Sequence, residues 1–232
     1  MSDPRYAIYY APPPESPLWT FGSAVLGYDA ATAELRAPLA PAGVDAAEWA
    51  EITAQPRRYG FHGTLKAPFR LADGASEDDL VAAGRTFARK LRAFDLPALE
   101  VGAIATFAAL KTITSSEQLG ALAGACVEAF EPFRRPPSAA ETARRLEAPL
   151  TERQRQFQER WGYPYVFEEF RFHMTLTGSL PPERVKPVVD GLAELYEEHV
   201  GAAISRVNAV TLYVEEDARE GFRIVDRFVF GP

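Results

Sequence analysis

The chain has 232 residues, 47% hydrophobic and 25% charged, which suits one large folded domain or two small lobes sharing a core. Its formal net charge of −7 disfavours a grip on extended nucleic acid, whose affinity rests on phosphate neutralisation, but leaves room for a small phosphate ligand held by a few local cations. No apolar run is long enough for a membrane span, Met1-Ser2-Asp3-Pro4-Arg5 lacks a signal-peptide core, and the lone Cys126 excludes an internal disulfide, so the cytoplasm is the expected compartment.

Tyr6-Ala7-Ile8-Tyr9-Tyr10 is predicted as a first strand, stopped by Pro12-Pro13-Pro14. Residues 15–57 are irregular apart from a short helix around Asp45–Ile52. Tyr59–Leu71 is strand-like, with a break expected at Pro68, and Asp73-Gly74 makes a turn. Ser76-Glu77-Asp78-Asp79 caps a helix running to about Phe94, its apolar stripe being Leu80, Gly84, Phe87, Leu91 and Phe94. Strands follow at Leu99–Ile104 and Phe107–Ile113. Ser116–Phe133 is amphipathic, with Cys126 on its core face, and Arg134-Arg135-Pro136-Pro137-Ser138 has the composition of a linker. Glu141–Trp161 is a charged helix interrupted at Pro149. This insert is expected to pack over the lobes as a solvated helix pair, or to lend positive charge from Arg144, Arg145, Arg153 and Arg155. Phe170–Leu180 is again strand-like, Pro181-Pro182 opens a helix to about His199, and strands are expected at Ile204–Val214 and Phe222–Phe230. His199 suits the end of its helix and is read as structural.

Two of the three histidines share one pentapeptide frame: Phe61-His62-Gly63-Thr64-Leu65 returns as Phe172-His173-Met174-Thr175-Leu176. Each copy leads into a helix and two strands, so the repeat extends to a βαββ unit. The predicted fold is α+β: a bilobed pair of duplicated βαββ units, with two opposed antiparallel sheets, a cleft between them and helices outside. The lobes are expected at residues 1–115 and 165–232, with the helical insert at 116–164.

Residues i and i+2 of a strand share a face. His62 with Thr64, and His173 with Thr175, therefore each present an imidazole beside a hydroxyl, anchored from behind by Phe61, Leu65, Phe172 and Leu176. Extending the alternation adds Arg58 and Lys66 to the first face and Arg171 and Thr177 to the second, with Tyr59 close by. That inventory suits in-line displacement at phosphorus. One imidazole deprotonates the nucleophile and the other protonates the leaving oxygen, because both protonation states coexist near an ordinary pKa of ~6.5. Hydroxyls and cations hold the non-bridging oxygens. Which histidine is acid and which is base stays open. Two histidines without Asp, Glu or Cys in ligand spacing make a poor metal site, and no cofactor loop stands out.

Paired His-x-Thr motifs about a hundred residues apart in a duplicated frame resemble the two-histidine (2H) phosphoesterase superfamily, which includes LigT-like proteins and RNA 2′,3′-cyclic phosphodiesterases. The resemblance covers roughly 1–113 and 165–232. It implies a metal-independent cleft with His62, Thr64, His173 and Thr175 as its catalytic set. Arg58-Tyr59-Gly60-Phe61-His62-Gly63-Thr64-Leu65-Lys66 and Trp161-Gly162-Tyr163-Pro164-Tyr165, followed by Phe170-Arg171-Phe172-His173, look like a bacterial branch known only as phosphonate-metabolism proteins. The expected activity is hydrolysis of a small nucleoside or ribose cyclic phosphate by a monomeric enzyme. Action on RNA ends, as phosphodiesterase or ligase, and binding of a phosphometabolite without turnover are the alternatives.

Overall fold

In the computed structural model, which describes residues 3–137, 149–217 and 219–232, strand β1 (Arg5–Tyr10) is followed by helix α1 (Pro17–Leu26). Ser16 caps α1 by accepting from the Trp19 amide, and Gly27 closes it in the left-handed region at φ 70°. This helix falls in the stretch expected to be irregular. Leu18, Trp19, Phe21, Val25 and Leu26 are all buried, so its sequence is apolar on nearly every side and shows no helical alternation. A small hairpin, β2 (Tyr28–Asp29) with β3 (Glu34–Leu35), leads to α2 (Ala46–Arg57). Asp45 caps α2 as expected, and the helix continues past Ile52 with Pro56 in its last turn. Trp49, fully buried, donates its indole N–H to the Val25 carbonyl at 3.0 Å and ties α2 to α1.

Next come β4 (Gly63–Phe69), α3 (Glu77–Ala88), β5 (Phe94–Asp95), β6 (Leu99–Ile104), β7 (Phe107–Thr112) and α4 (Glu117–Ala129). The Ser76 capping box forms, but α3 stops at Ala88, and Phe94 belongs to a short strand instead. β4 runs on through Pro68. The segment with linker composition is built into the molecule: Arg134 bridges Leu71, and the Arg135 amide donates to the Arg70 carbonyl at 2.8 Å. Of the charged helix, Glu152–Trp161 is observed as α5, capped by Thr151, while Arg144 and Arg145 lie outside the described residues. Arg153 and Arg155 pair with Glu168 and Glu152. The chain ends with β8 (His173–Thr175), α6 (Pro182–His199), β9 (Arg206–Val207), β10 (Ala209–Glu215) and β11 (Arg223–Val229). No described helix is long and apolar enough to cross a membrane.

Seven strands form one antiparallel sheet in the order β11-β10-β1-β4-β8-β7-β6. Its four-stranded and three-stranded halves are paired to each other at a single position, Gly63 with Met174. Each half draws on both parts of the chain. Motif strand β4 and its helix α3 sit with β10 and β11, while motif strand β8 and its helix α6 sit with β6 and β7. The two βαββ units have exchanged their terminal hairpins. That exchange makes the two motif strands neighbours at the centre of the sheet.

Candidate active site

The register at the junction sets the site. Met174 faces Gly63 on one side and Leu110 on the other, and Gly63 also faces Tyr10; this row is buried. The residues flanking that row point to the opposite face. Tyr9 pairs with Thr64, Lys111 with His173 and Ala109 with Thr175. An antiparallel ladder centred on Gly63 and Met174 brings Thr64 opposite His173 and His62 opposite Thr175. The two histidines then occupy a diagonal, about 7–8 Å apart in a regular ladder, related by a local twofold axis. Gly63 is required here, because a Cβ would come 2.7 Å from the buried Phe172 ring.

Both imidazoles are held in one tautomer by the same device. His62 Nδ1 lies 2.8 Å from the Gly60 carbonyl, and His173 Nδ1 lies 2.8 Å from the Arg171 carbonyl. A carbonyl only accepts, so each Nδ1 carries the proton and each Nε2 is left for chemistry. Gly60 reaches this position at φ 69°, with Ala30 where a Cβ would be, so another residue could not present that carbonyl unstrained. His62 Nε2 is 3.2 Å from the Thr64 hydroxyl, which donates to it.

The surroundings of the two rings differ. His62 is stacked on Tyr9, with ring centroids 3.8 Å apart, and is flanked by Tyr59 and Tyr213. Burial pushes its pKa from 6.5 down to about 4, against the raising effect of the Gly60 carbonyl and with a smaller lowering from His173. His173 has Phe107 as its ring neighbour, at 6.0 Å and tilted.

His62, Thr64, His173, Thr175, Thr177 and Tyr59 all line one cleft of about 430 Å³. The other expected site residues do not. Register shifts on either side of the Ile8–Lys66 pair break the two-residue alternation after Thr64, so Lys66 turns away. Its Nζ donates to the Val127 carbonyl at 3.0 Å and to Glu131 at 2.8 Å. Arg58 lies at the end of α2, outside any strand, and donates to Glu215. Arg171 is exposed and folds back on the Glu168 and Phe170 carbonyls. Thr177 is fully buried, its hydroxyl accepting from the Ala108 amide and donating to the Gly178 carbonyl. Among the described residues, the cleft is therefore lined by imidazoles, hydroxyls, aromatic rings, Gln55 and small apolar residues, with no Asp, Glu, Lys or Arg. Tyr9, Gln55, Phe107, Tyr163 and Ser179 also line it; none was expected in the site, although Tyr163 lies in the Trp161–Tyr165 stretch quoted above. They arrive from five separate segments.

The family described as "Protein of unknown function (DUF1045)" matches residues 64–223. The chain is 40% identical over 221 residues to a ribose 1,5-bisphosphate phosphokinase PhnN of Laribacter hongkongensis (strain HLHK9), covering 95% of this chain and 50% of that protein. It is 38% identical over 216 residues to the protein of the same name from Janthinobacterium sp. (strain Marseille), covering 91% and 48%. The chain thus spans about half the length of the curated relatives it matches. Among solved structures, it is similar to E. coli LigT complexed with 3′-AMP, at 16% identity and TM-score 0.44 over 99% of each chain. It is also similar to E. coli LigT complexed with phosphate, at 15% and 0.42 over 100% of each. A conserved protein of unknown function from Agrobacterium tumefaciens matches at 13% and 0.47, over 98% of this chain and 87% of that one.

Proposed function

This chain belongs to the DUF1045 family, and from its two facing His-x-Thr pairs we propose that it is a metal-independent phosphodiesterase hydrolysing a small cyclic phosphate ester. The observation that carries the reading is the Gly63–Met174 register. It puts both imidazoles on one face, each with Nδ1 tied to a carbonyl and Nε2 turned to the cleft.

His62, kept neutral by burial, takes the part of general base. As water oxygen bonds to phosphorus, its proton passes to His62 Nε2. The bond from phosphorus to the ring oxygen breaks, and that oxygen takes the proton from His173 Nε2. One water is consumed, and the product is a phosphate monoester with a free hydroxyl. His62 leaves the step protonated and His173 neutral, so a proton exchange with solvent resets the pair. Thr64 and Thr175 donate to the non-bridging oxygens as charge grows. A cyclic diester carries one negative charge, which a single imidazolium at His173 balances without the cations that the strand alternation had placed there.

The relatives' name concerns a ribose carrying phosphates, and a substrate of that size suits a cleft of about 430 Å³. Their kinase activity is not carried over, because the chain spans only about half the length of those relatives. The test is a panel of nucleoside cyclic phosphates, ribose cyclic phosphates and RNA 2′,3′-cyclic ends, assayed in chelator. At least one small cyclic phosphate should be turned over, with His62→Ala and His173→Ala each lowering kcat by ~10²-fold or more. Saturable binding without hydrolysis of any member, or near wild-type turnover by either variant, would sink the assignment.

A further inference from the structure

The cations missing from the histidine cleft are next door. A second cavity, about 470 Å³, adjoins the first and shares Ala67, Pro68 and Tyr163 with it as a common wall. Its lining holds six cations, Arg5, Arg58, Lys66, Arg70, Arg134 and Arg135, against four carboxylates, Asp3, Glu215, Glu216 and Asp217. Asp3 pairs with Arg135, while Glu216 and Asp217 pair with Arg223 and Arg219 outside the lining. Lys66 and Arg58 belong here rather than beside the phosphate under attack.

These groups are arranged in a particular way: two cations share each carboxylate. Glu215, itself buried, receives Arg5 Nε at 2.6 Å on one oxygen and Arg58 Nε at 2.5 Å on the other. Glu131 receives Lys66 Nζ at 2.8 Å on one oxygen and Arg134 on the other, by Nε at 2.9 Å and Nη2 at 2.6 Å. Each group of three carries one surplus positive charge. Lys66 is only 4% exposed, and burial lowers its pKa despite Glu131. A buried cation with an incomplete counter-charge is costly unless an anion completes it. The wall opposite is also fixed. Arg134 is tied to the Arg160 carbonyl at the end of α5, and Trp161, Gly162 and Tyr163 follow directly.

We propose that this second cavity binds a phosphate monoester on the same small substrate whose cyclic phosphate is hydrolysed in the histidine cleft. The inference rests on the reading above for the cleft itself. The spacing fits: Lys66, Ala67 and Pro68 follow Thr64 along β4 by two to four residues, roughly 7–13 Å at strand rise. The lower part of that range matches two phosphates at opposite ends of one phosphorylated five-carbon sugar. Monoester dianions need more positive charge than a cyclic diester does, and the charge is distributed between the cavities accordingly.

The test uses a matched pair of ribose cyclic phosphates, one with a free primary hydroxyl and one phosphorylated there. Wild type should prefer the phosphorylated member by ~10-fold or more in kcat/KM, the scale of one or two hydrogen bonds to charged groups. Arg58→Gln and Arg134→Gln should each shrink that preference, and Arg58→Lys should restore part of it. Both variants should fold, because Glu215 keeps Arg5 and Glu131 keeps Lys66. Calorimetry with ribose 5-phosphate against ribose reads the second cavity without any turnover. Monoester binding that depends on Arg58 and Arg134 upholds the proposal even if no cyclic phosphate is hydrolysed, an outcome that would fell only the proposed reaction. Hydrolysis with no preference for the phosphorylated member, or a preference that survives both substitutions, overturns the second cavity and leaves the first reading standing.

Discussion

His62 should make folding itself pH-dependent. In the unfolded chain its imidazole titrates near 6.5, whereas in the folded protein burial holds it at about 4. Between those values the unfolded state binds a proton that the folded state refuses, so stability falls as pH falls through 6.5 and the loss levels off below about 4. At ~1.4 kcal/mol per pH unit, the loss from this one group is about 2 kcal/mol between pH 7.5 and 5, and about 3 kcal/mol in full. Urea denaturation followed by tryptophan fluorescence at pH 7.5, 6.5, 5.5 and 5 gives the wild-type curve, and His62→Asn and His62→Gln give curves without the titrating group. His173, His199 and every carboxylate remain in all three proteins and cancel in the comparison. The wild type should lose about 2 kcal/mol more than either variant over this range. Parallel curves would mean that His62 is solvated and ionises normally, and its assignment as resting base would fall with it.

Two further outcomes follow from packing and buried hydrogen bonds. Thr177→Val leaves the buried Ala108 amide without its acceptor and should cost about 1–3 kcal/mol in urea denaturation, whereas Thr177→Ser keeps the bond and most of the stability; equal loss in both would contradict the bonding seen here. Gly63→Ala drives a methyl into the Phe172 ring at the one pair joining the two halves of the sheet, and should lower stability by about 1–3 kcal/mol while reducing turnover through misplacement of the facing histidines. An unchanged urea midpoint would show that the junction yields easily.

Much of the architecture was legible because it is written in local patterns. Ser76 with Asp79 announces α3, Pro182 opens α6, and short apolar or β-branched runs between turn residues mark β6, β7, β10 and β11. The duplicated Phe-His-x-Thr-Leu frame named the four polar residues at the centre of the cleft. Helix α1 was hidden because a helix buried all round has no polar face to betray its period. Strand parity misplaced Lys66 because register shifts within β4 interrupt the count, and such a bulge depends on the partner strand. Arg58 was placed on a strand that the chain has not yet begun.

What the sequence determined by itself is therefore the repeat, its secondary structure and the face shared by each imidazole and hydroxyl, because strand geometry acts between residues two apart. Tertiary structure decided what those faces meet. The hairpin exchange sets β4 against β8, the Gly63–Met174 register turns two separate motifs into one facing set, and the same packing carries Lys66 and Arg58 into a neighbouring cavity. Those outcomes depend on pairings between segments far apart in the chain, 61 residues for Lys66 with Val127 and 157 for Arg58 with Glu215. Such pairings are fixed by burial and hydrogen bonding across the whole core, and no local pattern encodes them.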